Sequence, residues 1–171
     1  GRSLDDVQTA SGPLRWRADW RDESPGFKFN HWELRGVPFR LEIGPRDVAA
    51  GQGVLVRRTD RAKEPVSLDG LAAELPTRLA DYQAGLLRRA LDFRAANTHH
   101  VDSYADFRST LDERGGFLMA HWCGNGDCEK QINADTGATI RVVPFEAAAE
   151  AGSCVRDGRP SERRVVFARA Y

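Results

Sequence analysis

Apolar and polar positions alternate along much of the first third of the chain, which predicts short strands. Apolar side chains at every second position predict strands over residues 14–20, 39–43 and 54–56. A Ser-Pro-Gly sequence within residues 22–28 predicts a turn that separates the first two strands. Strands of this length, joined by connections of a few residues, are typical of a small sheet.

Later in the chain the apolar spacing changes to three and four residues. This spacing predicts a long amphipathic helix over residues 77–96, after a short helix capped by Ser67. Ser103 and Asp106 predict another helix start. A helix near 129–133 and strands over 116–122, 139–145 and 163–170 are expected next. The predicted fold class is α/β (α+β): a small mixed sheet with helices, joined by a long helix to a second, small α/β domain.

The composition permits a folded core and limits the partners. Of 171 residues, 41% are hydrophobic and 29% are charged, and 25 Lys/Arg balance 25 Asp/Glu. A neutral chain is not a bulk electrostatic binder of DNA or of anionic membranes. No apolar run approaches the roughly 20 residues of a spanning helix, so we expect a cytoplasmic protein without a membrane partner. Residues 1–63 hold 12 Lys/Arg against 9 Asp/Glu, which makes them the better candidate for meeting phosphates.

Residues 26–47 concentrate aromatic and charged side chains around the second predicted strand. Stacking of an unpaired base on an aromatic ring contributes about 1–3 kcal/mol to binding. A carboxylate matches the N1 and N2 hydrogens of guanine, and an arginine matches O6 and N7. Glu33 or Asp47 would serve as the acceptor, and Arg40 or Arg46 as the donor. The segment is therefore a candidate surface for reading bases.

A simpler interpretation of the same residues is structural. Aromatic side chains at the edges of turns usually pack inward, which would place Phe29 and Trp32 in the core. Glu33 and Arg40 would then form a surface ion pair worth less than about 1 kcal/mol. Both interpretations fit the pattern of residues.

Several segments together resemble one known family. They are KFNHWELRGVPFRLEIGPRD at 28–47, VLVRR at 54–58, ALDFRAANTH at 90–99, GGFLMAHWCGNGDCE at 115–129, RVVPF at 141–145 and FARAY at 167–171. In this order they resemble the anticodon-binding and C-terminal domains of prolyl-tRNA synthetases of the archaeal and eukaryotic-like class II branch. The resemblance covers nearly the whole chain.

The resemblance implies domains and anticodon-binding residues. Residues 1–66 would form an anticodon-binding domain that is incomplete at its N-terminus, 67–99 the connecting helices, and 100–171 the C-terminal domain. The two adjacent guanines of proline anticodons would be read by a stacking ring, two acceptors, two donors and a phosphate or base contact, matched here in that order by Phe29, Glu33, Asp47, Arg40, Arg46 and Lys63.

The resemblance also implies the reaction of the whole enzyme. Such a ligase attaches proline to tRNA(Pro) through prolyl-adenylate. Its catalytic core, which binds ATP and Mg, precedes these domains. The enzyme would form a homodimer through that core. That core is not in this sequence, so we expect no catalytic residue here and no charging of tRNA by this chain alone. Tyr171 would help to order the active site of the intact enzyme, or would simply pack on the last sheet.

The three cysteines raise the question of a metal. Cys123 and Cys128 flank a loop with two glycines, and Cys154 would be a third ligand. Many members of the family have a fourth cysteine where this chain has Asp157, so a structural zinc would have three sulfur ligands and one oxygen ligand. His121 is a rival fourth ligand, because alternation along a strand places it on the same face as Cys123. Alternatively, no metal binds and the thiols are small buried apolar groups.

Two other functions are compatible with these residues. A stand-alone RNA-binding paralogue would use the same surface without aminoacylation activity. A structural docking module would hold a partner and contact tRNA only weakly. Loss of RNA affinity on replacing Glu33 or Arg40 favours base reading over docking.

Overall fold

The computed structural model describes residues 3–145 and 148–170, which divide into two units between Arg88 and Arg89. In chain order the elements are a 3-10 helix (Leu4–Asp6), β1 (Gln8–Thr9), β2 (Gly12–Pro13), α1 (Pro25–Leu34), β3 (Phe39–Glu42), α2 (Pro45–Ala50), β4 (Gln52–Arg57), β5 (Lys63–Ser67), α3 (Leu68–Ala96), β6 (Thr98–His100), α4 (Tyr104–Glu113), β7 (Phe117–His121), α5 (Gly126–Thr136), β8 (Ala138–Val142), β9 (Gly152–Ser153), β10 (Pro160–Ser161) and β11 (Arg164–Arg169). This mixture of helices and small sheets confirms the predicted α/β (α+β) class.

The first unit contains a three-stranded antiparallel sheet in the order β3-β4-β5. Leu55 and Val66 on this sheet pack against Leu71 and Leu75 of α3, and these four buried side chains form the core. The prediction of strands near 39–43 and 54–56 is confirmed. The third strand, β5, was not predicted because its sequence KEPVS contains one apolar residue that is not proline.

The predicted turn over residues 22–28 is wrong, because α1 begins there. Ser24 has an extended backbone, and its side chain accepts a hydrogen bond from the backbone N–H of Phe27. Pro25 occupies the first helical position, where its missing N–H costs nothing. A Ser-Pro pair is thus compatible with a turn or with the start of a helix, and the residues that follow it decide between the two.

The strand predicted over residues 14–20 is also wrong. These residues have neither helical nor strand structure, and the side chain of Trp20 is 90% exposed. A strand exists only if its backbone pairs with a neighbour. β3 pairs with β4, and no described strand pairs with residues 14–20, so the alternating pattern alone does not make a strand.

The helix between the two predicted domains is longer than expected. α3 runs without a break through Pro76, where two helices had been predicted. Proline removes one backbone hydrogen bond. Buried side chains lie on both sides of it, at Leu71, Leu75 and Tyr82, and their packing holds the helix together.

The second unit contains a four-stranded sheet in the order β6-β7-β11-β8. β6 and β7 are parallel, and β11 pairs antiparallel with both β7 and β8. Phe107 of α4, Leu118 of β7, Ile132 of α5 and Phe167 of β11 are completely buried in its core. The predicted helix start at Ser103 is confirmed, since its hydroxyl accepts from the backbone N–H of Asp106. The short strand β6 was not predicted.

A membrane-spanning helix needs about 20 mostly apolar residues, and none of the helices among the described residues meets this requirement.

Candidate nucleic-acid interface and metal centre

Helix α1 and strand β3 bring together three of the predicted site residues: an aromatic ring (Phe29), a carboxylate (Glu33) and a guanidinium (Arg40). Phe29 and Glu33 are four residues apart on α1 and therefore share one face of the helix. Arg40 of β3 reaches both of them. Its guanidinium carbon lies 4.0 Å from the centre of the Phe29 ring, and its Nη1 donates to Glu33 Oε1 at 2.6 Å.

Strand β3 extends this contact into a network of charges. Arg40 Nε also donates to Glu42 Oε1 at 2.8 Å, because residues two apart on a strand share a face. Lys63 Nζ lies 3.4 Å from Glu42 Oε2, and Arg61 Nη2 lies 3.1 Å from Glu33 Oε2. We call these six residues the Arg40 network: Phe29, Glu33, Arg40, Glu42, Arg61 and Lys63.

The Arg40 network lies at the surface but its centre is half-buried. The side chains of Glu33 and Arg40 are 20% and 19% exposed, whereas those of Lys63 and Arg61 are 61% and 76% exposed. The hydrogen bond from Arg40, followed by the charge and hydrogen bond of Arg61, holds the pKa of Glu33 below its ordinary value. Glu33 is therefore a carboxylate at neutral pH.

The geometry carries features of both interpretations of this segment. Phe29 and Trp32 are half-buried and are not core residues, while Glu33 and Arg40 do form the ion pair of the structural interpretation. A guanine bound by these two side chains would break the hydrogen bond between them. Its N–H groups would then bind Glu33, and its acceptor atoms would bind Arg40. The guanidinium that covers Phe29 is itself a flat surface on which a base can stack.

Arg46 and Asp47 lie apart from the Arg40 network in the described contacts. Both belong to the first turn of α2, where Asp47 Oδ2 accepts from the backbone N–H of Gly44 at 2.7 Å. This bond caps the helix and fixes the carboxylate. Arg46 is exposed on the same turn. The structure thus gives Asp47 a local structural contact, and none of the described hydrogen bonds or ion pairs joins it to Glu33 or Arg40.

Sequence reasoning missed Arg61 in this site. Arg61 has a positive φ of 56°, which is uncommon outside glycine. The turn it occupies is fixed by Asp60, whose side chain accepts from the backbone N–H of Ala62 at 3.1 Å. The dense charges of residues 57–63 were the available signal, but they do not tell which side chain turns back toward α1.

The second candidate site is formed by the three cysteines and Asp157. One potential ligand atom from each of these residues lies within 4.8 Å of every other. Cys123 follows β7, Cys128 lies in the first turn of α5, and Cys154 and Asp157 lie in the connection between β9 and β10. We call these four residues the cysteine–aspartate cluster. The structure therefore brings together all four predicted ligands, which come from three segments of the chain.

Two distances within the cysteine–aspartate cluster are close to those of a tetrahedral metal site. Bonds of about 2.3 Å to sulfur and 2.0 Å to oxygen place two sulfur ligands about 3.8 Å apart, and a sulfur and an oxygen about 3.5 Å apart. The Sγ atoms of Cys128 and Cys154 are 3.5 Å apart, and Cys123 Sγ lies 3.7 Å from Asp157 Oδ2. The cysteines form no disulfide in the described chain. Three cysteines and one aspartate are thus close enough to hold a metal ion.

Neighbouring groups set the charges of the cluster. Burial and the adjacent Cys154 thiol raise the pKa of Cys128, so a bound cation must displace its proton. The Arg159 guanidinium, which hydrogen-bonds to Asp157, holds the pKa of that carboxyl far below its usual range. Asp157 is therefore ionised, as a metal ligand must be.

His121, the rival fourth ligand, is not part of the cluster. Its buried ring has Nδ1 3.2 Å from Ser161 Oγ and Nε2 3.5 Å from Glu150 Oε1. The ring packs directly on Gly152, where any side chain would collide with it. Alternation failed as a guide because β7 ends at His121, and Cys123 already lies beyond the strand. Tyr171, the remaining predicted site residue, lies outside the described residues.

Each of the two units contains a match to a protein-family model. Residues 9–78 match the model of the family described as "Anticodon binding domain", and residues 104–171 match that described as "Prolyl-tRNA synthetase, C-terminal". The Arg40 network falls within the first match and the cysteine–aspartate cluster within the second. The two matches follow each other in the order expected from the sequence motifs.

Curated relatives extend the similarity over nearly the whole chain. It is 46% identical over 162 residues to the proline–tRNA ligase of Mycobacterium leprae, covering 92% of this chain and 33% of that protein. The ligase of Chloroflexus aggregans is 45% identical over 164 residues (94% and 34%), and that of Amoebophilus asiaticus 42% over 156 residues (91% and 32%). The chain thus spans about one third of the length of the relatives it matches.

Proposed function

We propose that this chain, which matches an anticodon-binding family and a prolyl-tRNA synthetase C-terminal family in succession, is the tRNA-selecting C-terminal portion of a proline–tRNA ligase. The succession of the two matches, at 9–78 and 104–171, is the observation that carries this proposal. The first match is described only as an anticodon-binding domain, whereas the description of the second names one ligase. Relatives that are 42–46% identical and cover 91–94% of the chain support the same conclusion.

In this proposal the Arg40 network reads guanine. Glu33 accepts the N1 and N2 hydrogens of one base, and Arg40 donates to its O6 and N7. In the free protein the two groups already hydrogen-bond to each other, so neither is left unpaired before RNA binds. A base without these complementary groups breaks the internal pair without replacing it. Each unpaired group costs about 1–3 kcal/mol, which is the source of selectivity.

The remaining predicted contacts complete the site around two adjacent guanines. Phe29, or the guanidinium that covers it, supplies the stacking surface, and the exposed Lys63 meets a phosphate or a base. Asp47 and Arg46 take the second guanine from the start of α2. For Asp47 this requires an oxygen that the cap of Gly44 leaves free, and Oδ1 is available because the cap uses Oδ2.

The proposal includes the whole enzyme to which such a chain belongs. That enzyme joins proline to tRNA(Pro) with ATP and Mg through prolyl-adenylate, forms a homodimer through its catalytic core, and works in the cytoplasm. In this proposal residues 1–66 form the anticodon-binding domain, 67–99 the connecting helices and 100–171 the C-terminal domain. The proposal keeps the archaeal and eukaryotic-like branch of the family, which rests on the resemblance of the sequence motifs alone. Tyr171 would help to order the active site of the intact enzyme.

We also propose that the cysteine–aspartate cluster binds a structural zinc ion. The donor set of three thiolates and one carboxylate, whose ligand atoms all lie within 4.8 Å of one another, supports zinc over magnesium or calcium, which prefer oxygen ligands. Bound zinc would join α5, the end of β7 and the connection between β9 and β10. In this role it supplies a cross-link and no chemistry.

Binding of RNA hairpins that carry the proline anticodon tests the proposed function. The chain should prefer the natural hairpin over one with the two guanines replaced by adenines, and Glu33→Gln should remove most of this preference. Glu64→Gln is the matched control, because Glu64 pairs with Arg78 on the same unit but lies outside the Arg40 network. We expect a loss of about 1–3 kcal/mol of discrimination for Glu33→Gln and none for the control.

Equal binding of both hairpins by the unaltered chain would contradict base reading. Binding that is selective but unaffected by Glu33→Gln would instead show that other residues read the anticodon.

A further inference from the structure

The oxygen ligand of the cysteine–aspartate cluster is held by a single arginine. Arg159 Nε and Nη2 approach Asp157 Oδ2 at 2.7 Å and 2.6 Å, and the backbone N–H of Arg159 donates to Oδ1 at 3.1 Å. Both carboxylate oxygens are thus fixed by a residue only two positions away. Without these bonds an aspartate side chain on an exposed turn rotates freely.

The oxygen that Arg159 holds is also the one that faces the cysteines. Asp157 Oδ2 lies 3.7 Å from Cys123 Sγ, a separation suited to two ligands of one tetrahedral ion. Oδ2 has two lone pairs and accepts from both Nε and Nη2 of Arg159, so a metal bound there would take the place of one of these two hydrogen bonds. The other hydrogen bond, together with the backbone bond to Oδ1, would keep the carboxylate oriented toward the cysteines.

The turn that carries both residues is tied to the rest of the cluster. The backbone N–H of Cys154 donates to Arg159 O at 2.7 Å, and that of Gly158 donates to Cys154 O at 2.9 Å. These bonds close the turn, so that Cys154, Asp157 and Arg159 keep a fixed relation. The backbone places the carboxylate near the sulfur atoms, and the arginine fixes its rotation.

Charge gives Arg159 a second effect on the same site. Three thiolates, one carboxylate and a divalent cation sum to two negative charges, whereas a site of two cysteines and two histidines is neutral. Arg159 offsets one of these charges at hydrogen-bonding distance. Such neighbours of metal ligands typically change metal affinity by 10–100-fold.

We infer that Arg159 is a positioning residue, which holds the Asp157 carboxylate as the oxygen ligand of a metal in the cysteine–aspartate cluster. The inference rests on the proposed metal site. Where a fourth cysteine would bind zinc without help, this chain uses an Asp157–Arg159 pair. Arg159 touches the ligand and not the metal.

Metal binding by the full 171-residue chain tests this role. Zn²⁺ affinity is measured by competition with a chelator, and Co²⁺ as a probe reports the ligand set through its absorption bands. Arg159→Ala should weaken Zn²⁺ binding about 10–100-fold and shift the Co²⁺ d–d bands, while the sulfur charge-transfer band remains. Arg159→Lys, which keeps the charge but not the paired hydrogen bonds, should recover only part of the affinity. Arg57→Ala, which breaks a similar pair with Asp60 in the other unit, is the matched control and should change nothing.

A second variant separates positioning from a general effect on folding or charge. In an Asp157→Cys background the ligand needs no guanidinium, so adding Arg159→Ala should cost less than about threefold in affinity. An equal loss in both backgrounds would overturn the positioning role. If the unaltered chain bound no zinc, the metal site itself would fall together with this inference. Neither result would affect the RNA proposal, because hairpin selectivity is measured separately and should be the same in Arg159→Ala.

Discussion

The ion pair between Glu33 and Arg40 is the central contact of the proposed RNA site. Its two side chains satisfy each other while the protein is free, so the site is ordered before a base arrives. A surface ion pair by itself contributes little to stability. In the proposed site its value would lie in specificity, because only a base with matching donors and acceptors can replace both partners.

Acid should remove the contribution of Glu33 to stability. Its pKa is lowered in the folded chain by the hydrogen bond from Arg40, so its stabilising effect is fully present above the ordinary glutamate pKa of about 4.3. The effect is lost as the pH falls through the lower pKa of the folded state. Urea unfolding at pH 7 should therefore show the unaltered chain to be more stable than Glu33→Gln. The difference should shrink as the pH falls below the ordinary glutamate pKa, and a difference that grew on acidification would contradict the assignment of this pair.

The sequence shows the chemistry of a single residue but not which residue of another helix or strand it contacts. Glu33 and Arg40 were predicted as readers from their chemistry, but their mutual pairing depends on how α1 lies against β3. Arg61 was missed for the same reason, since a turn with positive φ directs it to Glu33. Asp157 was identified because many members of the family that the sequence resembles have a cysteine at that position. Arg159 carried no such signal.

Helices and strands were predicted well where packing agrees with local pattern. The helix after Ser103 and the strands β3, β4, β7 and β11 follow from caps and apolar spacing. Errors arose where a partner decides the outcome. Residues 14–20 alternate as a strand does but have no paired neighbour among the described strands, and α3 passes through Pro76 because its buried side chains outweigh one lost hydrogen bond.

Two glycines in different elements should respond to alanine in opposite directions. Gly85 lies inside α3 with nothing near the position of an added Cβ, so Gly85→Ala should stabilise the chain by about 0.5–1 kcal/mol. Gly53 of β4 is buried, and an added Cβ would lie 2.9 Å from a Leu41 methyl group. Gly53→Ala should destabilise by about 1–3 kcal/mol. Urea unfolding of both variants measures the two changes, and a stabilising Gly53→Ala would show that the core around Leu41 is loosely packed.

Charge over the full chain limits how the proposed RNA site would bind its partner. The formal net charge is zero, so affinity depends on a few placed cations rather than on a general positive field. Residues 1–63 contain the positive excess, and the Arg40 network presents the exposed cations Arg61 and Lys63 beside the paired carboxylates. The two kinds of contact have separable effects, since phosphate contacts give affinity and base contacts give selectivity.

Removal of Lys63 should therefore weaken RNA binding without changing which RNA is preferred. Lys63→Ala removes one cation that is 61% exposed, so the slope of log affinity against log salt should fall by about one contact, or roughly 0.7 for a single-stranded loop. Natural and altered anticodon hairpins should lose affinity equally, which titration at several salt concentrations measures. Lys130→Ala is the control, because Lys130 is 81% exposed and lies in the second unit beside Asp127. A loss confined to the natural anticodon would instead make Lys63 a base reader, and an unchanged slope would remove it from the interface.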